Sequence, residues 1–324
     1  MNFNKNITEL GDPPWNEDEL RRSYFQNVSY THEVVRSKHP GAPIYAALES
    51  IRLSHDVFQN SVEDLIASIN KFKGESSRIG FWNRPSRQLF DELVLSIQRG
   101  IVSSAMCAMA LVDHTRDFLK EFEVSDYENK IEKEFKNNHQ HKFVHSLRRY
   151  ITHVKITKAH WNIKHAREGR SVFFLLSQAD LLEWSDWDSL ARDYILNCKE
   201  GVNIEDLFDQ YSSKVLNFHN WLRSAIMERY GGQVAEYMRY KKIMNRFASE
   251  SHWNVLLAQV LIPQNIDPYM YLDRYLTKTE IDNILSLPHR SKEQVDKIIS
   301  LIDEYGACTS EIRKLVYKLF RVEG

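Results

Sequence analysis

Cysteine is scarce in this chain of 324 residues: Cys107, Cys198 and Cys308 are far apart, odd in number and in no CxxC pair. That excludes a disulfide framework and a thiolate metal centre, and it suits a reducing compartment. Net charge is also nearly absent, at −1, so the surface as a whole does not attract polyanions. Long apolar runs are missing as well; stretches such as Val172 to Leu176 fall well short of a membrane span. The first twenty residues, MNFNKNITELGDPPWNEDEL, hold no basic stretch followed by an apolar one. A cytoplasmic protein without a membrane segment is the expectation.

Proline is missing from Ser86 to Ile262, which leaves room for several long helices. A hydrophobic content of 43% with 27% charged residues describes a folded globular chain rather than a disordered one. Punctuation divides it into three: an N-terminal arm over 1–42 with polar turn signals and little periodicity, a helical domain over 43–232, and a helical C-terminal region over 233–324. The second boundary rests on the double glycine Gly231–Gly232, which should end a long helix beginning near Ile204. Leu48, Ile51, Phe58, Leu65 and Ile69 recur at helical spacing, as do Leu89, Leu93, Ile97, Ile101, Ala105 and Ala108. Phe143, Leu147, Tyr150, Ile151 and Val154 mark a third helix. After His153 the pattern changes: VKITKAHWNIKH alternates, AREGR reads as a turn and SVFFLLS is a short β-branched and aromatic run, so a β-hairpin is expected. Ser185 reads as the N-cap of the helix that follows. The fold class is mainly α, a helical bundle with a small β-hairpin insertion.

Local charge says more than the total. From Lys136 to Arg170 there are nine Lys or Arg residues against the single acid Glu168, together with six of the thirteen histidines. A basic patch of that density suits phosphate. Within it, HSLRRYITH holds Arg148 and His153. Imidazole titrates near neutral pH and moves protons; a guanidinium stays charged and grips a phosphate through two hydrogen bonds. Those are the two parts that metal-free cleavage of RNA needs. On a straight helix, however, residues five apart point about 140° away from each other, whereas Arg149 and His153 share a face. Either the helix distorts near His153, or two copies of the chain combine their halves.

His141 and His145 have the i, i+4 spacing of metal ligands, but no carboxylate accompanies them and the nearby lysines would repel a cation. No metal and no other cofactor is expected. Trp161, Trp184, Trp187 and Trp221 could stack on bases, although aromatic residues at such spacing more commonly fill a core.

The segment LRRYITH, with LVDHTR at Leu111 to Arg116, resembles the R-x4-6-H motif of HEPN domains and a group of bacterial proteins in which LRNYxxH and LVDHTR recur together. The likeness covers roughly Pro43 to Gly232. It implies an HEPN-like helical bundle that dimerises and cuts RNA without metal, in toxin or antiphage systems, leaving 2′,3′-cyclic phosphate ends. Carried over, Arg148 and His153 are the catalytic pair. Asp113, His114, Arg116, Arg149 and Tyr150 support them, while His145, Lys155 and Lys158 bind RNA. Arg149 stands where the motif often has Asn. A second reading remains open: a non-catalytic helical protein that dimerises, or binds RNA or a regulatory protein partner, through its basic face.

Overall fold

A computed structural model describes residues 9–156, 158–166 and 169–322. Arg167 and Glu168, in the expected AREGR turn, lie outside the described residues. In chain order the elements are α1 (Glu17–Gln26), α2 (Val28–Lys38), α3 (Gly41–Ser76), α4 (Arg87–Glu121), α5 (Tyr127–Ile131), α6 (His139–His153), β1 (Ala159–Ala166), β2 (Gly169–Leu176), α7 (Gln178–Leu182), α8 (Ser189–Asn197), β3 (Val202–Asn203), α9 (Ile204–Val255), α10 (Lys278–Leu285), α11 (Lys292–Ile302) and α12 (Ser310–Phe320). The protein is mainly α with a small antiparallel sheet, ordered β1-β2-β3.

The chain forms two compact units: residues 44–232, and residues 1–43 with 233–324. In the first unit, Phe58, Leu65, Ile69 and Phe72 of α3 and Leu93, Ile97, Ile101 and Ala105 of α4 are buried, as the helical spacing required. The two helices touch closely where a Cβ on Gly100 would come within 2.9 Å of Leu65 Cβ, so glycine is needed there. α6 packs on α4 and α8 through Phe143, Leu147 and Tyr150, each fully buried. The hairpin register runs from Ala159 opposite Leu176 to Ala166 opposite Gly169. Its inward positions Val172, Phe174 and Leu176 are buried, the period of two that a half-covered strand demands.

In the second unit, residues 17–38, where the sequence suggested an arm packed over the domain or partly disordered, form two helices. α1 is closed by a capping box between Asn16 and Glu19, and Asn27 caps α2. Trp15 N–H donates to the Tyr240 hydroxyl at 3.1 Å, and Arg21 grips Glu250 through two hydrogen bonds of 2.8 and 2.5 Å. Leu257, Ile284, Val295, Ile298, Ile312 and Val316 make a separate core with α10, α11 and α12.

Two expected helix boundaries fail. α9 runs through Gly231 and Gly232 without ending: glycine costs a helix about 1 kcal/mol against alanine, and burial of Ile226, Val234 and Tyr237 on either side outweighs that. Asp188, not Ser185, caps α8, accepting from Leu190 N–H at 2.9 Å; the Ser185 hydroxyl turns to Asp186 instead. α4 with the turn before it, residues 84–121, is long and apolar enough to cross a membrane, with a mean hydropathy of 1.4 in its richest stretch. The sequence reading found no such stretch, because it looked for unbroken apolar runs; here Leu93, Ile97, Ile101, Ala105 and Ala108 form the unit's core.

Candidate functional site

α6 begins where the Asn138 side chain accepts from His141 N–H at 2.8 Å, and it ends where Val154 N–H closes on Tyr150 O at 2.9 Å. It remains a regular α-helix to its last residue, His153. The distortion that would let Arg148 and His153 converge is therefore missing, and within one chain they point about 140° apart. Arg148 is half-buried and His153 exposed. Neither carries an ion pair among the described residues.

What α6 does align is a different set. His141, His145, Arg149 and His153 follow at intervals of four, each about 40° around the axis from the one before, so that successive members share a face while His141 and His153 stand about 120° apart. Arg148 and Arg149 fall on either side of His145, at about 60° and 40° around the axis. Across from this stripe, α4 contributes Asp113 and Arg116, an exposed ion pair at 3.6 Å. The Arg149 guanidinium rests over the Trp184 ring, 5.8 Å from its centre, which holds it by a cation–π contact.

Burial first, and then the charges of Arg116, Lys142 and Arg149, hold the His145 imidazole below its ordinary value; Asp113 pulls weakly the other way. One helical turn earlier, burial and then His145, Lys142, Arg116 and Lys214 bring His141 down to about 4. Its Nδ1 lies 3.0 Å from the Tyr211 hydroxyl, and its ring stacks on Tyr211. At neutral pH the junction thus offers an uncharged, half-buried imidazole among cations. Such an imidazole can accept a proton, while its neighbours can hold an anion. His55 and His219 form another pair, with rings 5.3 Å apart, in which burial and then His55 bring His219 down to about 3.

The other expected site residues scatter. Tyr150 is fully buried against Trp184 and Trp187, its hydroxyl 3.4 Å from Asp180 O, so it supports α6 from inside. His114 turns to the Ser54 hydroxyl on α3. Lys155 pairs with Glu183 at 2.6 Å, and Lys158 is exposed just before β1. Of the basic segment, Lys136, Lys155 and Lys164 are neutralised by Glu132, Glu183 and Glu200. Lys142, Arg148, Arg149 and Lys158 have no ion pair among the described residues. Sequence reasoning gave His145 only an RNA-binding part; the i, i+4 run from His141 to His153 was the signal available for more. Among the described residues no group of three or more His, Cys, Asp or Glu side chains is placed to hold a metal ion.

The chain matches no family model, no curated protein and no solved structure.

Proposed function

We propose that the protein is a metal-independent endoribonuclease of the HEPN kind, with its chemistry on the α6 stripe. The observation that carries this reading is the half-buried His145 imidazole, whose hold on a proton is weakened first by burial and then by Arg116, Lys142 and Arg149. His145 takes the proton of a ribose 2′-hydroxyl, and the freed oxygen attacks the adjacent phosphorus. Arg149 and Arg116, with Arg148 beside them, hold the phosphate as its negative charge grows. The bond to the 5′-oxygen breaks, and His153 gives that oxygen a proton. The products are a 2′,3′-cyclic phosphate and a 5′-hydroxyl. His145 and His153 stand about 12 Å apart along the axis and about 80° apart around it, with Arg149 between them.

This arrangement lies within one chain and needs no second copy. The homodimer implied by the HEPN resemblance, and the toxin or antiphage setting, are separate proposals; sedimentation of the purified protein tests the first. The ribonuclease reading is tested with single-stranded RNA in excess EDTA. Wild type should release cyclic-phosphate ends, and His145→Ala should lower turnover by about 10²- to 10⁴-fold with unchanged helix content and melting temperature. Equal turnover by that variant would remove His145 from the chemistry, while salt-sensitive RNA binding without any cleavage would leave the interaction-protein reading.

A further inference from the structure

Beyond the end of α6 the chain passes from His153 to Lys158 and enters β1, where a cleft of about 590 Å³ opens between α4 and the hairpin. Its walls are aromatic and aliphatic: Phe90 and Leu95 from α4, Trp161 from β1, with Gln98 at the back and Lys158 and His160 at the rim. Trp161 is 39% exposed and Leu95 57% exposed, so both offer apolar surface to the cleft. Trp161 is also held firmly. Its ring centre is 5.1 Å from that of Trp82 and 6.1 Å from that of Phe90, and the neighbouring Ala159 N–H donates to Gln98 Oε1 at 3.2 Å.

The charges at the mouth have a sign. Asp91, the carboxylate in the lining, is tied to Arg87 at 3.2 Å, and His160 faces Asp180 at 3.5 Å. Lys158 has no ion pair among the described residues, so the rim keeps an uncompensated cation. A braced, half-exposed indole beside a free cation matches a flat aromatic ring that carries a phosphate.

We propose that this cleft is a nucleobase subsite, in which an unpaired base of single-stranded RNA lies against Trp161 and Leu95 while its phosphate meets Lys158. The choice of RNA as the strand rests on the ribonuclease reading. Stacking on an aromatic platform suits any base, because every base has a π-face. Five residues of chain separate His153 from Lys158, so their Cα atoms are at most about 17 Å apart, and one extended strand reaches both the stripe and the cleft. The ribonuclease would then act on unpaired RNA, since a base inside a duplex has no face to offer.

Binding separates this inference from cleavage. The probes are a 2′-O-methyl oligoadenylate, which lacks the attacking hydroxyl, and an abasic strand of the same length and charge. On wild type the base-bearing strand should quench tryptophan fluorescence and bind about tenfold more tightly than the abasic one. Trp161→Ala should erase that difference, Trp161→Phe should restore most of it, and Lys158→Glu should weaken both strands. If Trp161→Ala fails to fold, Leu95→Glu on the exposed wall serves in its place and should likewise remove the preference for bases. Equal affinity of wild type for the two strands, or an unchanged preference in Trp161→Ala or Leu95→Glu, would overturn the subsite. Retained base preference in a protein that never cleaves RNA would overturn the ribonuclease reading and leave the subsite in place.

Discussion

The basic segment has two halves, and the fold treats them differently. In the helical half, Lys136 pairs with Glu132, while Lys142, Arg148 and Arg149 have no ion pair among the described residues, and Lys142 and Arg149 add to the burial that lowers His145. In the hairpin half, Lys164 is taken up by Glu200 and Arg170 donates to the Ser76 hydroxyl at 3.0 Å. The hairpin half also keeps, in Lys158, a cation without an ion pair among the described residues, so the contrast lies in the imidazoles: those of α6 are buried beside cations, whereas Lys155 and Lys164 reach Glu183 and Glu200.

Exchanging charges between the halves should show the contrast most strongly in turnover. Arg149→Ala should slow RNA cleavage by about a hundredfold or more, whereas Lys164→Ala, which opens an exposed pair worth less than about 1 kcal/mol, should leave it nearly unchanged. Comparable losses in the two variants would erase the distinction. Next in size is the dependence of stability on pH. His141 and His219 are held neutral by burial in the folded state but bind protons near pH 6.5 when unfolded. The unfolded chain then carries more protons, so stability is level above about pH 7 and falls as pH drops from about 6.5 toward 3 to 4. Over that range His141 should cost about 3 kcal/mol and His219 about 5 kcal/mol. In urea unfolding followed across pH, His141→Phe should flatten part of the fall, and an unchanged slope would mean that His141 does not cause it.

Salt gives a smaller test. The logarithm of RNA affinity should fall linearly with the logarithm of salt concentration. Arg149→Ala and Lys142→Ala should each lower that slope by about one, and Lys164→Ala should lower it by less. The finest discrimination comes from the pH profile of kcat/KM. Its acid limb, set by His145, should lie below the ordinary imidazole range, because burial and then the surrounding cations disfavour the protonated ring. Arg116→Ala removes one of those cations, so the imidazole should hold its proton more strongly and the limb should move to higher pH. A limb that stayed fixed would mean that another group controls it.

Much of the fold was legible because its signals are local. Helical spacing gave α3, α4 and α6, and the alternation around AREGR gave the hairpin that pairs Ala159 with Leu176. The helices α1 and α2 were not legible because they are short, and their partners, Tyr240 and Glu250, lie more than two hundred positions away. Gly41 shows the same dependence on distant chain: a Cβ there would sit 2.2 Å from Gln233 O, which no local pattern reveals. Of the candidate site, the helix and its histidines were visible in HQHKFVHSLRRYITH, but the choice among them was not. Helix geometry already separated Arg148 from His153; the burial of His145 and the approach of Arg116 from α4 were visible only in the fold.

By itself, then, the sequence determined a mainly helical chain with one hairpin insertion and a stripe of imidazole and guanidinium groups at intervals of four, because backbone periodicity and helix geometry are properties of neighbours along the chain. Tertiary structure decided which cations keep their charge, which imidazole loses its proton, and that a helix continues through two glycines. Those outcomes depend on burial and on Coulomb interactions between residues far apart in sequence, and both fall off with distance in space.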